Sequence, residues 1–289
     1  MDGLIVNADD FGLTSGVNRA IAELHADWGI SSASLMARAA ATDEAIEIAL
    51  KTPTLGVGCH VVLVDGEPVL PAQGDIPTLA NPGNGRFRSS LPGFLAWLFA
   101  DSQRRGPSHP AAAREIEDET AAQIALLQGR GLRLTHIDTH KHTHMFPAVL
   151  RPVLRAAKAA GIGAVRNPFE PAWSVRTTSG APWLRRAEVS VLRRLFEPGF
   201  RRIVAEMGFR TTDGAIGVLA TGTLDAGGVN SLLKQMPPGT WELVTHPGYN
   251  DAELAQVTTR LRESRETELE ALKGLRLLGD HTLISFADL

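Results

Sequence analysis

The chain has 289 residues, 44% hydrophobic and 21% charged, with nine His, one Cys and a formal net charge of −3. This composition excludes a disordered or fibrous protein, and a lone Cys excludes an internal disulfide or a Cys-based zinc cluster. The negative balance argues against a general nucleic-acid binder, and no apolar run is long enough to predict a transmembrane helix.

The opening MDGLIVNADDFG has no basic n-region and too short an apolar run for a signal peptide, so a cytoplasmic location is expected. Within it, Leu4-Ile5-Val6 reads as a β-rich run ending in polar Asn7, Asp9 and Asp10. Thr14 or Ser15 can cap a following helix, whose apolar positions Val17, Ala20, Ile21 and Leu24 have helical spacing. Ile30 to Met36 is a second strand candidate. Ala41 to Leu50 is a helix candidate with Thr42 as N-cap, and Gly56 to Leu63 a third strand. Ala111 to Gln128 reads as a long helix, with Glu115, Glu117, Asp118 and Glu119 loading its first half and Gly129 closing it. Leu132 to Thr139 predicts a strand, and Pro147 to Ala160 a helix ended by Gly161. Ala164-Val165-Arg166, Ile216-Gly217-Val218, Trp241 to Thr245 and Leu283 to Phe286 are later strand candidates.

Strands alternating with helices imply parallel βαβ units. The first βα turn lacks a Gly-rich phosphate fingerprint, which weakens a dinucleotide-binding reading. The expectation is an α/β fold: a distorted (β/α) barrel of mainly parallel strands, with residues 1–289 forming one catalytic domain. Two stretches break the rhythm. Residues 65–110 are rich in Gly and Pro. Residues 170–210 carry Arg185-Arg186, Arg193-Arg194 and Arg201-Arg202 among Trp183, Leu184, Leu192, Leu195, Phe196 and Phe200. Both read as insertions over one end of the fold, where binding loops sit.

Four segments carry chemistry. In Asn7-Ala8-Asp9-Asp10-Phe11-Gly12, adjacent carboxylates at a strand end are costly to bury without a cation or a hydrogen-bond network. Neighbouring side chains point different ways, so one can serve as metal ligand and the other as base; a solvated turn is the alternative. Four of the nine His lie within Thr135 to His144. If that segment is extended, His136, Asp138, His140, His142 and His144 share a face; if it turns helical after Thr139, His140 and His144 stack. Either way imidazoles and a carboxylate gather, the usual ligands of zinc and related divalent ions, against a bland His-rich surface tract. His60, in Gly58-Cys59-His60-Val61, reads alone as a core residue, and as a third ligand once Asp10 and the His cluster are available. Cys59 would point away as buried core. His246 precedes a Pro-Gly turn after Trp241-Glu242-Leu243-Val244, well placed for acid–base work. His25, His109 and His281 lack such company. With no Gly-x-Ser-x-Gly elbow and no supported Cys–His pair, hydrolysis by metal-activated water is favoured over covalent catalysis.

NADDFGLTSGVNRAI, GCHVVL, THIDTHKHTHMFP, THPGY and the Arg262 to Leu269 helix, in that order along nearly the whole chain, resemble the YdjC-like carbohydrate deacetylase family. The resemblance implies a distorted α/β barrel that removes an N-acetyl group from an amino sugar. It implies Asp10, His60 and His140 as ligands of a divalent metal, Zn or Mg, with Asp9 as general base and His246 as general acid. Arg166 would orient Asp9 or bind substrate, and His136, Asp138, His142 and His144 would support the site or face the substrate. Within the family the sequence looks most like the hopanoid-biosynthesis-associated branch, which implies an N-acetylglucosaminyl lipid as substrate. The window 181–202 has six Arg and two Glu, or +4 against −3 for the whole chain. Such basic pairs among apolar residues suit peripheral contact with anionic lipid at the inner membrane, or a helix docked on the barrel. Homodimers are common among such enzymes, and no residue here specifies one. The competing readings are a barrel-type metal-dependent phosphoesterase or amidohydrolase, and a non-catalytic sugar- or metal-binding protein.

Overall fold

The computed structural model describes residues 3–81, 83–105, 111–273, 275 and 282–289. Strand β1 (Gly3–Phe11) leads into α1 (Ser15–Ala26), whose N-cap Thr14 accepts the Val17 N–H at 3.3 Å and whose buried face is Val17, Ala20, Ile21 and Leu24. After β2 (Ser32–Leu35), α2 (Thr42–Lys51) begins one residue later than expected. Ala41 is its cap position, and Thr42 Oγ1 instead accepts the Ala39 N–H and donates to Met36 O, each at 2.9 Å. Then follow β3 (Gly56–Val61), α3 (Leu91–Arg105), α4 (Ala111–Gly129) and β4 (Ile137–Thr139). A 3-10 turn (His140–Met145) precedes α5 (Pro147–Ala159), α6 (Ala172–Thr177), α7 (Trp183–Met207), β5 (Gly214–Ile216), α8 (Ala226–Gln235), β6 (Thr240–Thr245), α9 (Glu263–Lys273) and β7 (Thr282–Leu283). His109 and His281 lie outside the described residues.

Among the described residues every strand pairing is parallel, in the order β4-β3-β2-β1-β6-β5, with β7 on the first residues of β1. The central β1 is buried from end to end, as expected of a parallel strand covered on both faces. Beyond β4, single bridges Ile137–Val165 and Ala164–Arg210 carry the pairing round towards β5. The expected strand at Ala164 to Arg166 is therefore only two bridging residues, and the sheet is curled and irregular, a distorted barrel. Five other expected strands are shorter or displaced: Ser32–Leu35, Gly56–Val61, Ile137–Thr139, Gly214–Ile216 and Thr282–Leu283.

The first insertion is pinned by α4. Glu119 accepts the N–H groups of Val69 and Leu70 at 2.8 and 3.0 Å, and Glu115 those of Thr78 and Leu79 at 2.9 and 2.6 Å. These acids serve as buried acceptors for a loop backbone, because an unpaired buried amide is costly. The second insertion folds mainly as α7, closed by Gly208 in the left-handed region at φ 76°. Among the described residues no helix is long and apolar enough to cross a membrane.

Candidate active site

The chemistry-bearing residues meet at the C-terminal ends of the strands, where parallel sheets place their sites. In a regular strand Asp9 and Asp10 would face opposite sides. Here Asp10 takes φ 63°, and the register of β1 on β2 shifts between Ala8 and Phe11. An Asp tolerates this left-handed conformation better than most residues. The irregularity brings both carboxylates into one buried site, each with its own partners.

Asp10 Oδ1 lies 3.3 Å from His140 Nδ1 and 3.7 Å from His60 Nε2, and those two nitrogens are 3.3 Å apart. The three atoms form a group able to hold a metal ion. Asp10 Oδ2 is taken by Arg265 Nη2 at 2.5 Å, whereas buried Oδ1 has no hydrogen-bond partner. An unsatisfied buried carboxylate oxygen facing two imidazole nitrogens is the donor set of a cation site. Asp9, Asp10, Asp138, Glu242 and Glu268 are buried here with two buried guanidiniums, Arg166 and Arg265. Burial raises the Asp10 carboxyl, but Arg265 and His140 outweigh it and hold it well below the usual carboxylate range.

His60 is fixed from behind. Its Nδ1 lies 3.0 and 3.1 Å from the two Asp138 oxygens, which directs Nε2 at Asp10. Burial lowers the imidazole, but Asp138, with Asp9 and Asp10 nearby, reverses this and lifts it to about 9. A carboxylate behind an imidazole in this way makes the far nitrogen a stronger ligand.

Asp9 sits in an ion network that Asp138 joins to His60, and Asp9, His60 and Asp138 form a second group close enough to hold a metal ion. Arg166 Nη1 and Nη2 donate to Asp9 Oδ2 and Oδ1 at 2.8 and 2.6 Å, Nε donates to Glu242 Oε1 at 2.7 Å, and Nη1 also pairs with Asp138. Asn7 Nδ2 adds a bond to Asp9 Oδ1 at 2.9 Å. Burial raises the Asp9 carboxyl, and Arg166 brings it below its ordinary value. Burial lifts Glu242 to about 7 despite Arg166. His246 Nε2 lies 3.8 Å from Asp9 Oδ2, so the two are neighbours.

The His cluster divides by backbone geometry. The strand ends at Thr139, and Lys141 and His142 take φ 57° and 52°, so neither a continuous face nor a continuous helix forms. His140 turns to Asp10. His144 turns inward, with Nδ1 on Thr139 Oγ1 at 2.8 Å and Nε2 on the Arg166 carbonyl at 3.2 Å. His136 is buried, stacked on Phe286 at 3.9 Å, and bonded to Thr135 and Ser34. Burial lowers it to about 3, and Ser34 links it to Asn7. His142 keeps a buried Nδ1 without a partner among the described residues. Lys141 reaches Asp65 at 2.7 Å and ties this turn to the first insertion. Cys59 is buried with its thiol pushed up by burial, and His25 bonds the Ile30 carbonyl and Thr54.

Sequence reasoning missed Glu242, Arg265 and Glu268 as parts of the site. Glu242 sits on β6, paired with Ile5 of β1, in a run read only as a strand leading to His246. Arg265 and Glu268 lie in a helix whose composition reads as solvent-exposed.

Fold and site define an α/β protein with an Asp–His–His cluster at the strand ends, Asp10 and His60 buried and His140 partly so. The chain belongs to the YdjC-like family, whose model, described as YdjC-like protein, matches residues 3–279. It is 33% identical over 277 residues to a carbohydrate deacetylase of Brevibacillus brevis, covering 95% of this chain and 92% of that protein. It is 35% identical over 160 residues to a chitooligosaccharide deacetylase of Salmonella newport, covering 55% of this chain and 57% of that one. A crystal structure described as a cellobiose-phosphate cleavage protein from Enterococcus faecalis shares the fold, with TM-score 0.74 and 22% identity over 99% of this chain and 98% of that one.

Proposed function

We propose that the protein is a metal-dependent hydrolase that removes the N-acetyl group from an amino sugar. The observation that carries this is the convergence of Asp10 Oδ1, His60 Nε2 and His140 Nδ1 with Oδ1 left unpaired. The deacetylase names of its relatives support the reaction class. In this reading residues 1–289 act as one catalytic unit, because the site draws on elements from β1 to α9.

Asp10, His60 and His140 would hold the ion, Zn or Mg. Bound there, it supplies Lewis acidity, which makes water a stronger acid and the acetyl carbonyl a better electrophile. Asp9 accepts the proton of the attacking water at Oδ2. Arg166 holds Asp9 by both oxygens, so the carboxylate does not turn away. His246 supplies a proton from Nε2 to the departing amine, which is too basic to leave as an anion. With 3.8 Å between Asp9 Oδ2 and His246 Nε2, the proton taken by one is within reach of the other. The products are acetate and a free amino sugar. His142 is the member of the cluster left to face the substrate, whereas Asp138, His136 and His144 hold ligands and base in place.

The finer reading, an N-acetylglucosaminyl lipid as substrate, rests on α7. Trp183, Leu184, Val191 and Leu195 are 74, 63, 53 and 65% exposed. The spacing of the last three puts them on one face of the helix. The arginines support it less than their number suggests, since Arg185, Arg193, Arg201 and Arg202 pair with Glu188, Glu197 and Glu206 on the same helix.

Acetate release tests both levels. Metal-loaded protein should deacetylate an N-acetylated amino sugar and lose this activity in EDTA. A preference for the lipid-linked over the soluble sugar supports the finer reading. Phosphate release from a phosphoester, or metal binding without any turnover, would replace it with the competing readings.

A further inference from the structure

Helix α9 has the sequence ESRETELEALK, and its charge density predicts a solvated surface helix. Yet Arg265 and Glu268 are each only 1% exposed. Charged side chains are seldom this buried unless they are paired. Their i,i+3 spacing puts them on one face of the helix. That face lies against the ends of β1 and β6.

Both partners are groups of the site. Arg265 Nη2 donates to Asp10 Oδ2 at 2.5 Å, and Nη1 reaches the His246 carbonyl at 3.5 Å. Glu268 Oε2 accepts the His246 backbone N–H at 2.5 Å and lies 3.8 Å from His246 Nδ1. Three further atoms at this contact are buried without a partner, His246 Nδ1, Glu268 Oε1 and Arg265 Nε. Nδ1 can donate and the Glu268 carboxylate accepts, and the oxygen nearer to Nδ1 is Oε2, which already takes the His246 N–H. Catalytic hydrogen bonds are often long until substrate is bound. The contact is close in the backbone as well, since a Cβ on Gly248 would come within 2.9 Å of Val17 and 3.1 Å of Arg265.

We propose that α9 belongs to the reaction machinery: Glu268 is a positioning residue for His246, and Arg265 is a positioning residue for Asp10. Glu268 holds the proton on Nδ1, which leaves Nε2 facing Asp9 and the reacting groups. It also stabilises the imidazolium that must form before a proton reaches the amine. Arg265 occupies Asp10 Oδ2 and so presents Oδ1 to His60 and His140. The roles of His246 and Asp10 rest on the deacetylase reading above; the contacts do not.

Three measurements on the full chain test the proposal. The first compares an N-acetyl amino sugar with 4-nitrophenyl acetate, whose phenolate leaves without needing a proton. Glu268→Gln should lower kcat on the amide by about 10²-fold with KM unchanged, and leave the ester rate near the parent's. Equal losses on both substrates would mean a merely structural role and overturn the assignment. The second is the 15N spectrum of the His246 ring, which needs no turnover. The parent should show protonated Nδ1 and bare Nε2, with Glu268→Gln shifting towards a mixture of tautomers; an unchanged spectrum overturns the Glu268 role. The third is calorimetric titration with Zn2+. Arg265→Lys should weaken binding by about 10–100-fold, whereas Glu268→Gln binds as the parent does; parent-like binding by Arg265→Lys overturns the Arg265 role. Thermal unfolding confirms that each variant folds, and if Glu268→Gln does not, Glu268→Asp is read by the same spectrum. A parent that releases no acetate defeats the deacetylase reading alone, because the spectrum and the titration still decide α9.

Discussion

Glu242 offers a stability test whose sign depends on pH. Its carboxyl is fully buried beside Asp9 and Asp138, and burial lifts it from 4.5 to about 7 despite Arg166. Between those values the folded state holds a proton that the unfolded chain has released. Stability therefore falls as pH rises from about 4.5 to 7, and this contribution is flat on either side. At about 1.4 kcal/mol per pKa unit, the rise to about 7 costs the folded protein about 3 kcal/mol at pH 8. Glu242→Gln removes the charge and keeps an oxygen for Arg166 Nε, which now bonds Oε1 at 2.7 Å. Oε2 already lacks a partner, so an amide nitrogen in its place creates no new unsatisfied position. Arg166 retains Asp9 and Asp138 as counter-charges. The Gln variant should match the parent near pH 4.5 and exceed it by up to about 3 kcal/mol at pH 8. Urea unfolding in EDTA across that range measures the difference. A constant difference, or a variant less stable than the parent at pH 8, would refute the reasoning.

Asp10→Ala should abolish Zn2+ binding, whereas Asp9→Asn should bind Zn2+ and lose kcat by about 10²-fold or more; full activity in metal-stripped Asp10→Ala protein would sink the scheme. Arg166→Met leaves three buried carboxylates without their cation and should cost about 3–5 kcal/mol in urea unfolding, with a loss under about 1 kcal/mol refuting the network's role. In Gly58→Ala the new Cβ overlaps the His136 ring, which is itself held against Phe286. That overpacking should cost about 1–3 kcal/mol, and an unchanged thermal midpoint counts against it. Leu184→Ser with Leu195→Ser should reduce co-sedimentation with anionic vesicles if α7 meets lipid; no binding by the parent removes that reading.

Much of the frame was legible locally. Parallel βαβ order, the Thr14 cap and the apolar face of α1 follow from short-range rules, because spacing, caps and turn residues act within a few positions. The Asp pair and the His cluster were legible too, since no core or surface role calls for so many such residues at strand ends. The division of labour was not. Alternation predicts opposite faces for Asp9 and Asp10, and only the left-handed backbone at Asp10 brings both into one site. The same kind of kink at Lys141 and His142 separates His140 from His144, where either regular geometry would have grouped them. Arg166 pairs with Asp9 across 157 positions and Arg265 with Asp10 across 255, distances at which no periodicity speaks. The sequence by itself determined which functional groups this protein brings to its strand ends. Tertiary structure decided which carboxylate each guanidinium neutralises, because the cost of burying charge is met only by partners that the fold brings together.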